Sequence, residues 1–429
     1  MNQQSEHPVP NTRVVITGMG VVSCLGSGVG AFWEGLTASR SGIGPIQSFD
    51  VTGLRNPEGG EVRDWPEETL PEWAAGMDDA VRFALAAGLE AMACAGVEAP
   101  LGPNAGVILA TNFGGAGTFQ KWASDRRSGV GASSRFSDFS SVSTIGKANV
   151  PRSDDAGFKS SLMSTATDAL ALLAGATGPR ASLSLSCSSG AAAIGMALDW
   201  IRLGKAEIMI AGGYDALTLY SLSGLSCLRT VTTEKIRPFD KNRSGTVFGE
   251  GAGVVILESE SRAVARQVRP LAVVSGWASN NNAHHLTAPQ TDGRGLLQVM
   301  RGACDDAQRG PSAIDYVNAH GTGTRYNDPA ETSALHELLG ARAQETPVSS
   351  IKAAISHTMG AAGAIEAIAC VQAIRTGILP PTLNWSERDP DCDLDYLPNE
   401  SRERSIACAL SVSSGIGGNN AALLLEKYD

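Results

Sequence analysis

The hydrophobic and polar positions of the chain alternate between short apolar runs and longer segments with helical spacing. Apolar runs of strand length occur at 13–17, 106–110, 183–185, 208–213, 254–258, 271–275, 314–318, 406–412 and 421–425. Segments with apolar residues three or four positions apart predict helices at 78–95, 162–175, 294–307, 329–339 and about 361–375. Strands that alternate with helices predict an α/β fold. The first residues have no such pattern, which predicts a disordered lead (1–12). The series of strands and helices starts again near residue 260, which predicts two halves, 13–260 and 261–429.

Two stretches do not fit this alternation. Residues 112–161 are rich in serine and glycine and weakly patterned, which predicts surface loops that serve as a lid or a dimer contact. Gly18 and Gly20 follow the first apolar run and resemble the start of a dinucleotide-binding loop. The third glycine and the later acidic residue of that fingerprint are missing. We therefore interpret both glycines as turn residues.

The composition is that of an ordinary globular protein. Its 429 residues are 43% hydrophobic and 18% charged, and 49 glycines suit closely packed α/β layers. A net charge of −10 argues against a general nucleic-acid surface, although it allows a local basic patch for an acidic partner. Residues 181–198 carry no charge, but their serines and glycines argue against a membrane span.

The cysteines and the amino terminus indicate a reduced, cytoplasmic protein. Eight cysteines are spread singly, with no CxxC pair and no spacing typical of metal ligands. The polar amino terminus lacks the apolar core of a signal peptide.

Cys187 is the first candidate for chemistry. It lies between the strand-like run that contains Leu183 and Leu185 and a helical pattern that contains Ile194 and Leu198. Free N–H groups at a helix start stabilise an anion, so they favour a thiolate there, and the N–H of Cys187 itself could bind an oxyanion. The alternative is a small core cysteine, the usual place of a free thiol. This stretch alone leaves both interpretations open.

A second motif surrounds His320, which lies between a strand and two glycines. Thr322 and Thr324 present hydroxyl groups at alternate positions, which suits a polar ligand arm. Asp328 and Glu331 are typical of a helix start, where acidic residues are common for capping reasons. Taken alone, His320 could equally be a structural histidine.

A third motif joins Lys352, His357 and Glu366. A lysine among apolar neighbours needs a partner, and Glu366 on the next helix is the candidate. This pair could also be a plain structural salt bridge. Two histidines could suggest a metal, but no third or fourth ligand has a suitable spacing. We interpret the adjacent His284 and His285 as loop residues that could line an entrance.

One cysteine and two histidines, each at a junction flanked by glycine, resemble a covalent acyl-transfer site. From about residue 13 to 427 the chain resembles an elongating β-ketoacyl-acyl carrier protein synthase, a group in the thiolase superfamily that includes the ketosynthases of type II polyketide systems. The motifs that carry the resemblance are VVITG (14–18), SCSSG (186–190), RPFDKNR (237–243), GEGAG (249–253), NAHGTGT (318–324), the segment 352–366 and GIGG (415–418).

The resemblance implies a thiolase-like fold, in which two similar α/β halves form five layers, αβαβα. It implies an enzyme that partners an acyl carrier protein and forms a homodimer, or a heterodimer with a ketosynthase-like subunit. Cys187 would hold an acyl chain as a thioester. His320 and His357 would bind the malonyl thioester during loss of carbon dioxide, and the carbanion would attack the acyl group. No metal or organic cofactor is implied, because phosphopantetheine arrives on the carrier protein.

The resemblance also gives roles to other residues. The N–H groups of Cys187 and Ile416 would form the oxyanion hole. Lys352 and Glu366 would orient His357. The substrate-binding residues implied by the resemblance are Thr322, Thr324, Ile416 and Thr246.

The chain departs from the usual motifs at three positions. Ile416 and Thr246 stand where a phenylalanine is expected, and Ser356 stands where glycine is common. The two missing rings predict a changed acyl pocket, as in a ketosynthase of polyketide or polyene biosynthesis rather than of fatty-acid biosynthesis.

Two alternatives to an elongating synthase remain to be weighed. A chain-length-factor-like partner subunit would have a structural and binding role, but such subunits lack the nucleophile. A thiolase would need a second catalytic cysteine, and an initiating synthase would use Cys-His-Asn.

Overall fold

The computed structural model describes residues 12–128 and 161–429. Residues 1–11 of the predicted lead (1–12) and residues 129–160 of the predicted loop segment (112–161) lie outside the described residues. The strands are β1 Val14–Ser23, β2 Gly26–Ser27, β3 Gly44–Pro45, β4 Glu58–Gly59, β5 Ala105–Ala110, β6 Arg180–Leu183, β7 Ile208–Asp215, β8 Gly251–Ser259, β9 Ala272–Asn281, β10 Tyr316–Asn318, β11 Val348–Ser349, β12 Ile378–Leu379, β13 Arg402–Glu403, β14 Cys408–Ser414 and β15 Asn419–Glu426. The α-helices are α1 Val29–Thr37, α2 Asp79–Ala95, α3 Ala116–Ser128, α4 Thr165–Ala174, α5 Ser189–Arg202, α6 Leu219–Cys227, α7 Glu260–Ala265, α8 Arg294–Asp306, α9 Asn327–Leu339, α10 Lys352–Ile355 and α11 Ala362–Thr376.

Ten strands form two five-stranded halves with the same strand order. The first half runs β6-β5-β7-β8-β1 and the second runs β11-β10-β14-β15-β9. In each half the first two pairings are parallel and the last two are antiparallel. Numbered along the chain, both halves have the order 3-2-4-5-1. The halves meet where β1 and β9 pair over Val15–Val273 and Ile16–Ala272.

The helices form three layers around these halves. α2 and α4 pack on the outer face of the first half, and α8 and α9 pack on the outer face of the second. α5 and α11 lie between the halves and contact strands of both. A Cβ atom on Gly363 would lie 2.6 Å from the backbone N of Ala191, so small residues let these two helices cross closely. The expected α/β fold of two similar halves in five layers is confirmed.

Gly18 and Gly20 are not turn residues, which corrects the interpretation from sequence. Both lie inside β1, which continues to Ser23. A Cβ atom on Gly18 would lie 2.1 Å from the carbonyl oxygen of Ala91, and one on Gly20 would lie 1.9 Å from that of Ala87. The glycines are therefore needed because α2 approaches the strand closely.

The described part of 112–161 also differs from the prediction of loops, because residues 116–128 form α3. Its apolar periodicity is weak, so the sequence pattern did not mark it as a helix. The other predicted strands and helices are found within a few residues of their expected bounds. Within the described residues, no helix has both the length and the apolar character needed to cross a bilayer.

Candidate active site

Cys187 lies in the tight turn between β6 and α5, and its side chain is buried. Ser186 has a φ of 53°, which turns the chain sharply before the cysteine. The Ser189 hydroxyl donates to the carbonyl of Ser186 at 2.6 Å and accepts the N–H of Leu185 at 2.7 Å. The serines around the cysteine therefore hold the turn that brings Cys187 to the start of a buried helix.

The loop between β14 and β15 lies directly against this turn. A Cβ atom on Gly415 would be 3.0 Å from the backbone N of Cys187, so only a glycine backbone fits there. The backbone N–H of Ile416 points at the Cys187 sulfur. The two N–H groups predicted to form an oxyanion hole are thus neighbours.

A network of asparagines holds this loop in place. The Asn420 side chain donates to Asn282 at 2.7 Å and to Asn280 at 2.9 Å, and that of Asn281 donates to the carbonyl of Gly417 at 2.9 Å. The sequence alone did not indicate this role, because the asparagines belong to runs at the ends of two separate strands. The signal was present, since one run directly follows the GIGG motif.

His357 is held by its backbone on both sides. Its N–H donates to Val247 at 2.8 Å, and its carbonyl accepts the N–H of Gly249 at 3.0 Å. The Nδ1 atom accepts the N–H of Met359 at 3.3 Å, which leaves the proton of the neutral ring on Nε2. The ring of Phe248 stacks on the imidazole with centroids 5.6 Å apart.

His320 is fixed by Glu331, which was expected only as a capping residue. The Glu331 carboxylate accepts the N–H groups of His320 at 2.7 Å and Gly321 at 2.9 Å. The imidazoles of His320 and His357 meet edge to face, with ring centroids 5.4 Å apart. The two predicted histidines therefore form one pair.

The pairing of Lys352 with Glu366 is present and fully buried. Burial lowers the pKa of His320 and of His357 well below the usual value, and the Lys352 ammonium lowers both further. Both imidazoles are therefore neutral at physiological pH, so each offers one N–H to a ligand.

Burial raises the pKa of the Cys187 thiol to about 11, although Lys352 and the N–H of Ile416 oppose this effect. Asp215 and Glu366 raise the pKa further. The expectation that a helix start would favour the thiolate at rest is therefore outweighed by burial. A Cys187 that acts as a nucleophile would therefore have to lose its proton as it attacks.

One cavity of about 770 Å³ contains Cys187, His320 and His357. Its wall also includes Thr322, Thr324, Ile416 and His285. Ser244, Gly245 and Phe248 line it, whereas Thr246 does not appear in the wall and is buried. Substrate contact by Thr246 stays a prediction. Across the described ranges, no three His, Cys, Asp or Glu side chains group as metal ligands do.

Ser356, directly before His357, has a strained backbone with φ 65° and ψ −176°. This region is essentially restricted to glycine and costs other residues about 1–3 kcal/mol. A glycine also gives the unfolded chain more conformational freedom, which lowers the free energy of unfolding by about 0.4–1 kcal/mol and offsets part of this gain. We therefore expect Ser356→Gly to raise the free energy of unfolding in urea by about 1 kcal/mol.

The exposed Ser405, whose φ is not positive, provides the matched control. Ser405→Gly should lower the free energy of unfolding slightly. A loss of stability in Ser356→Gly as large as that in the control would contradict the assignment of strain.

Comparison with known families agrees with this geometry. Residues 11–263 match the family described as beta-ketoacyl synthase, N-terminal domain, and residues 271–386 match beta-ketoacyl synthase, C-terminal domain. The chain belongs to the β-ketoacyl synthase family. The two matches divide between β8 and β9, where the strand order begins to repeat.

Individual relatives cover nearly the whole β-ketoacyl synthase chain. It is 37% identical to the tetracenomycin polyketide synthase ketoacyl synthase alpha subunit of Streptomyces glaucescens, over 97% of both chains. It is 36% identical to 3-oxoacyl-[acyl-carrier-protein] synthase 2 of a Synechocystis strain, over 97% of this chain and 98% of the relative.

Solved structures show the same resemblance. The ishigamide ketosynthase/chain length factor superposes with a TM-score of 0.87 at 33% identity, covering 97% of this chain and 100% of that chain. A second similar structure contains a type II polyketide synthase acyl-carrier protein in complex with its ketosynthase bound to the hexaketide. Its TM-score is 0.85 and its sequence identity is 31%, with the same coverage of both chains. The thiolase-like ketosynthase fold and the condensing-enzyme class are thus confirmed, and a chain-length-factor role is not favoured.

Proposed function

We propose that this β-ketoacyl synthase condenses an acyl group held on Cys187 with a malonyl group on an acyl carrier protein. The observation that carries these roles is the single cavity shared by Cys187, His320 and His357, with the N–H of Ile416 directed at the sulfur. A nucleophile, an oxyanion hole and two neutral imidazole donors are the groups that the two halves of the reaction need.

The first half of the reaction is acyl transfer. The Cys187 sulfur attacks the carbonyl carbon of the acyl thioester, and the N–H groups of Cys187 and Ile416 bind the oxyanion that forms. The carbon–sulfur bond to the carrier then breaks. The carrier thiol leaves with the proton that Cys187 loses, and the acyl group stays on Cys187.

The second half is decarboxylation and carbon–carbon bond formation. The malonyl thioester carbonyl accepts hydrogen bonds from His320 and His357, which stabilise the enolate as carbon dioxide leaves. The carbanion attacks the acyl carbon on Cys187, and the carbon–sulfur bond breaks as the β-ketoacyl product forms. The Cys187 thiolate that leaves takes a proton from solvent water, so this half of the reaction consumes one proton. Lys352 and Glu366 orient His357, and burial together with the Lys352 ammonium keeps both imidazoles neutral.

A direct test mixes the enzyme with an acyl carrier protein, its acyl form and its malonyl form. We expect carbon dioxide and β-ketoacyl carrier protein in equal amounts, measured by gas release and by mass. Release of carbon dioxide without the new carbon–carbon bond, under conditions in which Cys187 is acylated, would contradict the proposed condensation. The same experiment, run with chelator and without added metal, tests the expectation that no metal or organic cofactor is needed.

The mouth of the cavity suits an acidic carrier protein. Arg55, Arg229 and Arg325 line it, and none of the three has a carboxylate partner in the described part of the chain. A cationic rim on a chain of net charge −10 would steer an anionic partner to this opening. The similar structure of a ketosynthase with its acyl-carrier protein supports this partner.

Reversal of one rim charge should weaken this encounter. We expect Arg229→Glu to raise the KM for the acyl carrier protein about tenfold at low salt, with kcat nearly unchanged, because the charge acts on association. Arg269→Glu is the matched control, since Arg269 is exposed, lies away from this cavity and has no ion pair among the described residues. Equal effects of the two variants would contradict docking at the rim.

We infer that the enzyme is a dimer, with a second copy or with a ketosynthase-like subunit, and that it works in the cytoplasm. β6 is the edge strand of the first half, and its ladder faces outward. Exposed edge strands commonly pair with another chain. The structure of a ketosynthase/chain length factor supports the heterodimer. The mass of the purified protein, alone and with candidate partners, distinguishes these assemblies.

We propose further that the acyl pocket differs from that of a fatty-acid synthase, because Ile416 stands where a phenylalanine is expected. Ile416 packs at the edge of an apolar cluster with Phe113, Leu228, Phe248 and Met359. Replacing it with the larger ring should narrow this region.

Ile416→Phe is therefore expected to change the relative rates of Cys187 acylation by short, long and unsaturated acyl carriers, by about tenfold for the longest. Ile416→Leu, which conserves volume, is the control. The acyl-enzyme is measured by intact mass. Identical chain-length profiles for the wild type and Ile416→Phe would count against the altered pocket.

A further inference from the structure

Asp215 is a buried carboxylate at the end of β7 that the reaction described above does not use. Its Oδ1 atom accepts the Thr111 hydroxyl at 2.6 Å and the N–H of Phe113 at 3.0 Å. Its Oδ2 atom accepts the N–H groups of Gly360 at 2.7 Å and Asn112 at 3.0 Å. No cation pairs with it in the described ranges, so backbone and hydroxyl donors alone compensate its burial.

These donors come from two segments that reach the active site from opposite halves. Gly360 belongs to the short turn that follows His357 and leads into α11. Thr111, Asn112 and Phe113 follow β5 in the first half. The carboxylate therefore joins the turn of a proposed catalytic histidine to the other half of the fold.

The segment after β5 continues this connection to the nucleophile and the acyl pocket. The Asn112 side-chain oxygen lies 3.3 Å from the hydroxyl oxygen of Ser189, in the first turn of the Cys187 helix. Phe113 packs in the same apolar cluster as Ile416. A movement of Asp215 would thus disturb Cys187, His357 and the acyl pocket together.

The turn after His357 and the end of β7 approach each other too closely for any residue larger than glycine. A Cβ atom on Gly360 would lie 2.7 Å from Asp215 Oδ2 and 2.9 Å from the N of Asn112. A Cβ atom on Gly213 would lie 2.3 Å from the carbonyl oxygen of Gly360. Both glycines are needed so that the turn after His357 can rest on the end of β7.

We propose that Asp215 is a positioning residue for the condensation, which fixes the His357 turn against the Cys187 side of the cavity and places a buried negative charge at that junction. The proposal rests on the roles of Cys187 and His357 proposed above. It gives Asp215 two separable effects, one on geometry and one on charge.

The charge effect follows from the contacts above, because Asp215 contacts Asn112, whose side chain lies against Ser189 in the first turn of the Cys187 helix. The charged or titratable groups that act on Cys187 are Lys352, Asp215 and Glu366, and the neutral His320 and His357 share its cavity. Burial raises the pKa of Asp215 to about 6, so this carboxyl is ionised at pH 8. A negative charge near a thiol stabilises the protonated form, and the protonated form is the less reactive one.

Asp215→Asn tests both effects, because the amide keeps the shape and removes the charge. We expect the alkylation of Cys187 by iodoacetamide at pH 8, followed by intact mass, to become severalfold faster as the thiolate fraction rises. We expect kcat for malonyl decarboxylation to fall between about tenfold and a hundredfold, with a smaller change in KM, because the amide nitrogen repels one of the N–H donors that it faces.

A purely structural role gives a different result. Asp215→Asn would then lower the melting temperature but leave both the alkylation rate of Cys187 and the decarboxylation kcat at wild-type values, and this outcome overturns the proposal. Failure of the proposed function is distinguishable, because it would show in the wild type as an acyl group that does not attach to Cys187.

A second variant keeps the test decisive if Asp215→Asn does not fold. Thr111→Val removes one donor to the carboxylate and retains the charge and the side-chain shape. We expect slower decarboxylation without faster alkylation of Cys187. Wild-type decarboxylation in a folded Thr111→Val enzyme overturns the positioning effect.

Discussion

Cys187→Ala is expected to abolish formation of the acyl-enzyme while leaving the fold intact. The side chain is buried but small, and the surrounding turn is held by serine hydroxyls and backbone groups rather than by the sulfur. With no nucleophile, attachment of the acyl group should fall at least about a thousandfold. Intact mass after incubation with an acyl carrier protein measures it directly.

Two observations sharpen this experiment. Cys227 is an exposed free thiol, so Cys227→Ala should acylate at the wild-type rate and serves as the control. Malonyl decarboxylation should persist in Cys187→Ala, because the two imidazoles that stabilise the enolate remain. If Cys187→Ala still gains the acyl mass at a normal rate, the nucleophile has been assigned wrongly.

His320→Ala is expected to have the second largest effect, on the other half of the reaction. Removal of one donor to a developing oxyanion typically costs about 10²–10³ in rate. We therefore expect malonyl decarboxylation to slow by that factor, while acylation of Cys187 stays within severalfold of the wild type. Carbon dioxide release and intact mass separate the two steps.

His285 provides a control from the same cavity. It lies at the entrance, where its Nδ1 atom accepts the N–H groups of Thr287 and Ala288, and it does not meet the other imidazoles. His285→Ala should leave decarboxylation nearly unchanged. A loss of acylation as large as the loss of decarboxylation in His320→Ala would contradict the division of labour between sulfur and imidazoles.

The sequence predicted the fold well wherever apolar periodicity was strong. It failed where a helix or strand depends on neighbours, as in α3, whose pattern is weak, and in β1, whose glycines look like turn residues but accommodate α2. Local patterns report the faces of single elements, and they do not report how closely two elements approach.

The candidate site shows the same limit. Cys187, His320 and His357 could be found because each lies in a recognisable motif. Asp215 could not, because its importance comes from contacts with residues more than a hundred positions away. Asn420 directly follows the GIGG motif, but its partner Asn280 is also more than a hundred positions away.

The aromatic ring beside the histidines shows how a local departure can be compensated. Thr246 stands where a phenylalanine is expected, and its smaller side chain predicted a changed acyl pocket. Phe248, two positions later, stacks on His357 and lines the cavity. The cavity therefore keeps an aromatic ring beside His357, although Thr246 itself is not part of its wall.

The repeated strand order explains where the chemistry lies. In each half, the segments after the second, third and fourth strands converge on the cavity. In the first half they contribute Thr111 to Phe113, Cys187 and Asp215; in the second they contribute His320, the run from Lys352 to His357, and Ile416. The two halves share one strand order but bring different side chains to the cavity, a thiol from one and two imidazoles from the other. Because the cavity wall is assembled from both halves, either half expressed alone would present only part of it.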